Sequence, residues 1–309
     1  MTIYSPVAIF VYDRLEHTKQ TISALSCNLY SEETDVYIFS DNGKDATSNS
    51  NVKSVREYLD YLRESNNFKS LTILESEKNY GLANSIIKGV SKIIREHPSE
   101  KVIILEDDLI TSNFFLKFMN ESLNYYEKNN SIWSISGYSP PIKIPENYRN
   151  DIYLSYRSSS WGWGTWKDRW NSADWQIKDY DNFIEDKKSV QRFNRGGMDL
   201  AGMLKMQMNN KIDSWAIRWC YTQYRQNKMT IYPVKTLIEN IGLDGSGTHK
   251  QLLSRKYNSK IDEKSDFNLE MPQINPLILK RFKNFYLSEL KFYLSKVKRR
   301  IFNISRIYN

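Results

Sequence analysis

Residues 102–115 read VIILEDDLITSNFF, and this stretch decides how the rest of the chain is interpreted. Its first residues are apolar and mostly β-branched, which predicts a short buried strand at Val102–Glu106. Three adjacent carboxylates end that strand: Glu106, Asp107 and Asp108. Because adjacent carboxylates repel one another, a divalent cation such as Mg²⁺ or Mn²⁺ would stabilise them. The alternative is a solvated acidic turn before the next helix, where acids suit the helix dipole.

Strand and helix patterns alternate before this stretch and become less regular after it. The predicted strands are Val7–Tyr12, Asp35–Ser40, Leu71–Glu75, Val102–Glu106 and Met229–Pro233. The predicted helices are Leu15–Leu29, Val52–Glu64, Leu82–Glu96, Phe114–Asn129, Met198–Met208 and Ser214–Gln226. We expect loops at Asp41–Asn51 and over most of residues 138–180. The alternation predicts an α/β fold with a mainly parallel sheet flanked by helices, whose ligands bind beyond the carboxyl ends of the strands.

Length and composition exclude several classes of protein. The chain has 309 residues, 14% aromatic residues and two cysteines, Cys27 and Cys220. So many aromatic residues argue against disorder, and two cysteines cannot form a disulfide framework, which favours a reducing compartment. The longest early apolar run, Val7–Tyr12, is too short to span a membrane. We therefore expect a cytoplasmic protein.

The positive charge of the chain is concentrated at its C-terminal end. Residues 280–309 contain nine Lys or Arg and one acid, so they carry the whole formal net charge of +8. Their apolar residues recur at helical spacing: Phe282, Tyr286, Leu290, Tyr293, Val297, Ile301 and Ile304. A basic amphipathic helix of this kind favours contact with an anionic membrane surface, at about 1 kcal/mol for each basic residue. The alternative is an ordinary helix packed on the body. Nucleic acid is not expected as a partner, because the basic residues are confined to this segment.

Polar residues also follow the first two predicted strands. Arg14 comes after the first strand and suits a diphosphate, which a guanidinium can bind bidentately. Asp41 comes after the second strand and can accept hydrogen bonds from a base or ribose. The alternative for both sites is turn chemistry, because Asp, Asn and Gly favour turns.

Four segments together resemble glycosyltransferases of the GT-A fold. They are Val7–Leu25 (VAIFVYDRLEHTKQTISAL), Tyr37–Gly43 (YIFSDNG), Asn79–Ala83 (NYGLA) and Val102–Phe115. The likeness covers about residues 5–250. It is closest to the inverting N-acetylglucosaminyltransferase I family, whose EDDL motif is similarly followed by paired phenylalanines. The chain also resembles bacterial family-2-type sugar transferases of polysaccharide loci.

The resemblance implies a role for each matching residue. Asp108 binds the metal, Mn²⁺ or Mg²⁺, and Glu106 and Asp107 lie near the donor ribose and sugar. Asp41 and Arg14 contact the base and diphosphate of a nucleotide-sugar, for which a UDP-sugar is favoured. It further implies a nucleotide-sugar-binding half at residues 1–110 and an acceptor-binding and catalytic half at 111–250 of one domain. A linker and the basic helix follow at 251–309.

An inverting transferase also needs a general base for the acceptor hydroxyl. Asp213 resembles the carboxylate that precedes the acceptor-side helix in these enzymes; otherwise it belongs to a helix N-terminus capped near Ser214. Asp199 and Asp244 are the other candidates for the base.

Two further segments are candidates for ligand contact. Trp161 and Trp163 lie among small residues and could stack on the acceptor or donor sugar, or could form an aromatic core patch. The glycine-rich stretch 242–250 could cover a diphosphate with its backbone amides and Lys250. His249, in the same stretch, could be a second metal ligand or an ordinary surface histidine.

The sequence therefore predicts a metal-dependent, inverting glycosyltransferase that adds a hexose or N-acetylhexosamine to a glycan. The acceptor would be a glycan or lipid-linked glycan of bacterial surface polysaccharide synthesis, at the inner face of the cell membrane. The chain lacks the Gln-x-x-Arg-Trp motif of processive synthases, which favours single additions. One alternative is a sugar-phosphate nucleotidyltransferase, but residues 12–15 are not a glycine-rich phosphate loop. The other is a non-catalytic glycan-binding protein, which would leave the acidic triplet without a role.

Overall fold

The structure, a computed structural model, describes residues 3–244, 254–257 and 259–286. Its strands are β1 (Val7–Val11), β2 (Asp35–Ser40), β3 (Ser70–Glu75), β4 (Lys101–Glu106), β5 (Leu109–Thr111), β6 (Ile132–Ser136), β7 (Ile152–Ser155), β8 (Trp163–Trp166), β9 (Met229–Pro233) and β10 (Ile238–Asn240). Its helices are α1 (Leu15–Ser26), α2 (Ala46–Glu64), α3 (Leu82–Glu96), α4 (Phe115–Tyr125), α5 (Lys167–Asn171), α6 (Tyr180–Glu185), α7 (Lys187–Phe193), α8 (Leu200–Met208), α9 (Trp215–Arg225) and α10 (Ser254–Tyr257). Residues 276–286 are also helical and are called the C-terminal helix below.

One eight-stranded sheet organises the chain, in the order β3-β2-β1-β4-β8-β6-β9-β7. Strands β3, β2, β1 and β4 pair in parallel, β8 is antiparallel to both β4 and β6, and β9 is parallel to β6. Six strands therefore run in one direction, and only β8 and β7 run against them. The α/β fold with a mainly parallel, helix-flanked sheet is confirmed.

Both faces of the sheet are covered, which explains why its central strands are continuously apolar. Alternate residues of β1 enter different cores. Val7 and Ile9 pack with residues of α1, α2 and α4, whereas Ala8 and Phe10 pack with α3 and a group of tryptophans. All five residues of β1 are buried. This burial fixes the end of β1, and with it the position of the residues that follow.

Some element boundaries differ from those predicted. Helix α2 begins at Ala46 rather than at Val52, because Asp45 forms a capping box with Ser48. The Ser48 amide donates to the Asp45 carboxylate at 2.8 Å, and the Asp45 amide donates to the Ser48 hydroxyl at 3.1 Å. Residues 138–180, expected to be mostly loop, contribute β7 and β8 to the sheet. The strand β8 contains Gly164 between two tryptophans, so it lacks the β-branched pattern that identifies a strand.

The last part of the described chain packs on the body. The Asp262 amide donates to the Thr236 carbonyl at 2.8 Å, and residues 276–286 then form the C-terminal helix. Its residues Ile278, Phe282 and Tyr286 are buried against Tyr153 of β7 and Tyr232 of β9. Phe282 and Tyr286, the first two members of the apolar stripe, thus face the protein. The rest of the stripe lies outside the described residues. Among the helices that the structure describes, none is long and apolar enough to cross a membrane.

Candidate active site

The ends of β1 and β4 bring Arg14 and the acidic triplet together. The two strands are parallel neighbours, with Phe10 opposite Glu106, so the residues after them share one edge of the sheet. The Arg14 guanidinium donates to the Asp107 carboxylate and, at 2.9 Å, to Oδ2 of Asp108. The Tyr12 amide also donates to Asp107, at 3.3 Å. Asp107 is therefore engaged by the protein, and Asp108 only in part.

A short strand from the second half of the chain pairs beside Asp108 and holds it in place. Strand β10 pairs antiparallel with β5, which begins directly after Asp108. The Ile241 amide donates to the Asp108 carbonyl at 2.9 Å. At Gly242 a Cβ would lie 2.1 Å from Oδ2 of Asp108 and 2.7 Å from Nη1 of Arg14. Only glycine therefore allows the backbone to lie this close to the ion pair.

The electrostatics of the triplet favour the uptake of positive charge. Burial raises the pKa of Glu106 to about 8, and the neighbouring carboxylates of Asp108 and Asp107 add to that effect. Part of the Glu106 residue remains exposed, but protein surrounds its carboxyl group. Burial also raises the pKa of Asp107 to about 6, although Arg14 opposes the shift. A single guanidinium does not balance three carboxylates, and a bound cation would lower these pKa values.

The residues present fit a divalent metal ion held mainly by Asp108. Oδ1 of Asp108 is buried and has no hydrogen-bond partner among the described residues. A carboxylate oxygen left in this way is an available ligand for Mg²⁺ or Mn²⁺, both of which bind through few carboxylates and take their other oxygens from phosphate and water. Within residues 3–244, 254–257 and 259–286, no group of three or more His, Cys, Asp or Glu side chains could hold a metal. The other candidate ligand, His249, lies outside the described residues, as does Lys250.

Asp41 follows β2, next to β1, and orders the start of α3. Its carboxylate accepts hydrogen bonds from the amides of Tyr80 and Gly81, each at 2.9 Å at the nearer oxygen. Gly81 has a φ of 74°, in the left-handed region that favours glycine. This network places the NYGLA segment beside the sheet edge. The contact of Asp41 with a base or ribose remains a prediction. A hydrogen bond from the nucleotide would be added to those that the carboxylate already accepts from the Tyr80 and Gly81 amides.

Helix α9, which begins two residues after Asp213, starts beside the end of β4. Trp215, at the start of α9, stacks on Trp163 with ring centroids 4.9 Å apart, and Trp163 lies opposite Ile104 near the end of β4. Trp219, one turn later, packs on Trp133 near the start of β6. The helix therefore runs from the edge where β4 ends toward the opposite edge.

The three candidate bases have different environments. The Asp213 side chain is 59% exposed, and Arg218 donates to it at 3.1 Å. Asp199 is buried, with its two oxygens 2.8 and 3.0 Å from Nη1 of Arg157, so the structure places it in the core rather than in an open site. Asp244 lies two residues after Gly242, and its carboxylate is 3.2 Å from Nε2 of His17.

The two candidate tryptophans do not share one role. Trp163 is fully buried and packs against Trp170, Trp215 and Trp219. Neither face of its ring is open to a sugar in this structure, so the burial of Trp163 favours the alternative of an aromatic core patch. Trp161 is partly buried and lies edge-on to Tyr138, with ring centroids 4.6 Å apart. Its contact with a sugar stays a prediction.

Two contacts at the site were not predicted from the sequence. Thr21 of α1 donates its hydroxyl to the Asp107 carbonyl at 2.8 Å and accepts from the Leu109 amide at 3.1 Å, which fixes the backbone on both sides of Asp108. Thr21 lies seven residues after Arg14, two helical turns along one face, and this spacing was the available signal. The other contact is that of Gly242 with Asp108. Gly242 belongs to the glycine-rich stretch predicted to cover a diphosphate, but its approach to a residue more than a hundred positions earlier was not predicted.

Comparisons with known proteins give one family and several similar folds. Residues 2–195 match the model of the GNT-I family. A comparison with curated protein sequences finds no match. Among solved structures, residues 1–349 of TarS from S. aureus align with a TM-score of 0.43 and 10% identity, over 77% of this chain and 61% of TarS 1–349. TarS 1–349 has also been solved in complex with UDP-GlcNAc, with the same TM-score and identity over 76% and 57% of the two chains.

A third similar structure is the mannosyltransferase PcManGT from Pyrobaculum calidifontis in complex with GDP-Man and Mn²⁺. It aligns with a TM-score of 0.38 and 11% identity, over 72% of this chain and 70% of the mannosyltransferase. This chain thus spans less than two thirds of the TarS structures that it resembles.

Proposed function

The chain belongs to the GNT-I family of glycosyltransferases, and from that premise we propose that it is a metal-dependent, inverting glycosyltransferase. It moves a hexose or N-acetylhexosamine from a nucleotide-sugar, favoured to be a UDP-sugar, to a hydroxyl of a glycan acceptor. The acceptor we propose is a glycan, lipid-linked or free, of bacterial surface polysaccharide synthesis. The resemblance of residues 5–250 supports the donor and acceptor classes.

One observation carries the proposed chemistry: the buried, unpartnered Oδ1 of Asp108 beside the Arg14 ion pair. Arg14 is held by two carboxylates, which raise the pKa of its guanidinium above its ordinary value although burial opposes them. It therefore stays cationic at the edge where a diphosphate would bind. These two groups suit a nucleoside diphosphate. The free carboxylate oxygen can hold the metal ion that a diphosphate binds, and the fixed guanidinium can bind the negative charge of the diphosphate directly.

The residues divide the reaction between them. Asp108 would hold the Mn²⁺ or Mg²⁺ ion, which when bound neutralises negative charge on the diphosphate. Arg14 binds and orients the same diphosphate, and Asp41 fixes the NYGLA segment next to the base. Asp213 accepts the proton of the acceptor hydroxyl while the oxygen of that hydroxyl attacks the anomeric carbon. The nucleoside diphosphate leaves from the opposite face, and the anomeric configuration is inverted.

A nucleotide-sugar panel with Mn²⁺ tests the proposal. We expect one donor to yield a nucleoside diphosphate and a glycosylated acceptor, with the activity lost in EDTA and restored by Mn²⁺ or Mg²⁺. No turnover and no donor binding across the panel, with the protein folded, would contradict it. Release of pyrophosphate from a nucleoside triphosphate and a sugar phosphate would favour a nucleotidyltransferase instead.

Asp108→Asn supplies the matched test of the metal site. Loss of the metal-binding oxygen should lower turnover roughly a hundredfold or more, because charge neutralisation on the leaving group contributes several kcal/mol. Asp60→Asn is the control, since Asp60 is an exposed carboxylate of α2 paired with Arg63. Equal activity of the two variants would remove Asp108 from the metal site.

A further inference from the structure

A strip of exposed apolar side chains leads into the first turn of the C-terminal helix. Met271, Ile274 and Leu277 are 42%, 47% and 43% exposed, although all three are large and apolar. They are three of the eight exposed large hydrophobic residues in the described chain, and they lie within seven consecutive positions. Upstream, the strip meets an open groove lined by Tyr125, Phe267 and Leu269, among others. Apolar surface concentrated in this way indicates a site of contact rather than scattered exposure.

The charged side chains that follow the strip along the chain are all basic as far as residue 286. Residues 271–286 contain Lys280, Arg281 and Lys283 and no acid. Arg281 also donates to the Lys143 carbonyl, which brings a fourth basic residue next to the helix. Lys143 keeps most of its side chain exposed, although Glu146 lies 3.9 Å away. The strip thus has cations on the side of the C-terminal helix, while Glu270 precedes it and lines the groove together with Glu121.

The C-terminal helix fixes this face relative to the catalytic body. Ile278, Phe282 and Tyr286 occupy its buried side, so Leu277 and Lys280 are left on the exposed side. Tyr286 covers the guanidinium of Arg157, with 3.9 Å between the guanidinium carbon and the ring centroid. The exposed face is therefore not the Phe282–Tyr286 stripe indicated by the periodicity of the sequence, but the face opposite to it.

We propose that Met271, Ile274 and Leu277, with Lys280 beside them, form a docking face for an anionic membrane surface. The apolar side chains enter the boundary between headgroups and acyl chains, and the cations bind the anionic headgroups. Because the helix is packed on β7 and β9, docking of this face orients the body with respect to the membrane. The inference deepens the proposed function, since a lipid-linked acceptor would be reached from that surface.

Vesicle co-sedimentation of the full chain tests this face. Vesicles of phosphatidylcholine with about 30% phosphatidylglycerol should bind the protein, and pure phosphatidylcholine should bind it weakly. The variant Met271→Ser/Ile274→Ser/Leu277→Ser should partition at least roughly tenfold less, because three apolar side chains no longer leave water. The control Ile3→Ser/Leu29→Ser/Tyr61→Ser removes three large side chains elsewhere that are 53%, 44% and 65% exposed, and it should bind as the unchanged protein does.

Two outcomes would overturn the docking face. One is unchanged partitioning of the 271/274/277 variant, which would leave binding to other residues. The other is failure of the unchanged protein to bind anionic vesicles, which would point to a protein partner for the strip. Donor turnover with a soluble acceptor, measured on the same variants, separates this result from the proposed function: turnover should persist in all three proteins, and its absence from all three would count against the function, not the face.

Discussion

At the scale of single residues, Gly242 determines how closely the second half of the chain approaches the acidic triplet. Its φ lies outside the left-handed region, so Gly242→Ala is compatible with the backbone and introduces only a methyl group. That methyl would meet Oδ2 of Asp108 at 2.1 Å and Nη1 of Arg14 at 2.7 Å. We expect the Kd of Mn²⁺ to rise about tenfold or more, in the range found when groups that orient metal ligands are altered. Titration calorimetry or the Mn²⁺ dependence of donor binding measures this effect.

Gly164→Ala is the contrasting control for this prediction. A Cβ at Gly164 would meet Met119 and Leu123 in the core, at 2.9 and 3.1 Å, away from the triplet. This substitution should lower the free energy of unfolding by about 1–3 kcal/mol through overpacking and leave the affinity for Mn²⁺ unchanged. If Gly242→Ala instead lowers stability and spares Mn²⁺ affinity, Gly242 has only a packing role.

Trp163 and Trp161 provide a second prediction at this scale. Trp163→Ala should lower the free energy of unfolding by about 3–5 kcal/mol, because it removes a fully buried ring from the tryptophan cluster. Trp161→Ala should cost less, since the residue is only partly buried. Urea unfolding followed by circular dichroism measures both. Near-wild-type stability of Trp163→Ala, together with weaker acceptor binding, would show that Trp163 contacts the acceptor sugar.

At the scale of elements, the start of α9 separates catalysis from helix capping. Asp213→Asn should lower turnover about 10²–10⁴-fold if its carboxylate is the general base, and donor binding should persist. Ser214→Ala is the matched control, because the Ser214 side chain accepts from the Ile217 amide at 3.3 Å and caps the helix. That variant should lose about 1 kcal/mol of stability and keep its turnover. Equal turnover of Asp213→Asn and the unchanged enzyme would transfer the role to another carboxylate, with Asp244 as the first to test.

The elements also show where sequence patterns succeed and where they fail. β1 and β4 were predictable because both are buried on both faces, which leaves a continuous apolar run. Arg14 and Asp108 were predictable as neighbours because each follows such a strand. By contrast, β8 could not be identified from WGTW, because its place in the sheet comes from pairing with β4 and β6 rather than from its own propensity. The contact of Gly242 with Asp108 joins residues more than a hundred positions apart, and no local pattern encodes it.

At the scale of the whole molecule, the C-terminal helix is part of the folded body and not a separable tail. Phe282 lies within 5.1–6.2 Å, between ring centroids, of Tyr153 and Tyr232, and Tyr286 lies over the ion pair of Arg157 with Asp199. Because of this position, the whole of the C-terminal basic segment cannot be deleted without affecting the core. The basic segment starts on a helix whose inner face is core, so the removal of residues from 280 onward would remove core side chains as well as positive charge.

Two truncations therefore have different expected outcomes. A chain that ends at residue 286 keeps Ile278, Phe282 and Tyr286 and should retain donor binding and a cooperative unfolding transition. A chain that ends at residue 275 loses these three buried side chains, which contribute about 1.5–3 kcal/mol each, and the sum approaches the whole stability of an ordinary domain. We expect the midpoint of its urea unfolding transition to fall by several molar, or the truncated protein to be insoluble. The point substitution Tyr286→Ala, which leaves the chain length unchanged, should lower the free energy of unfolding by about 3 kcal/mol. If the chain ending at 275 unfolds at the same urea concentration as the chain ending at 286, and Tyr286→Ala is as stable as the unchanged protein, the C-terminal helix does not belong to the core.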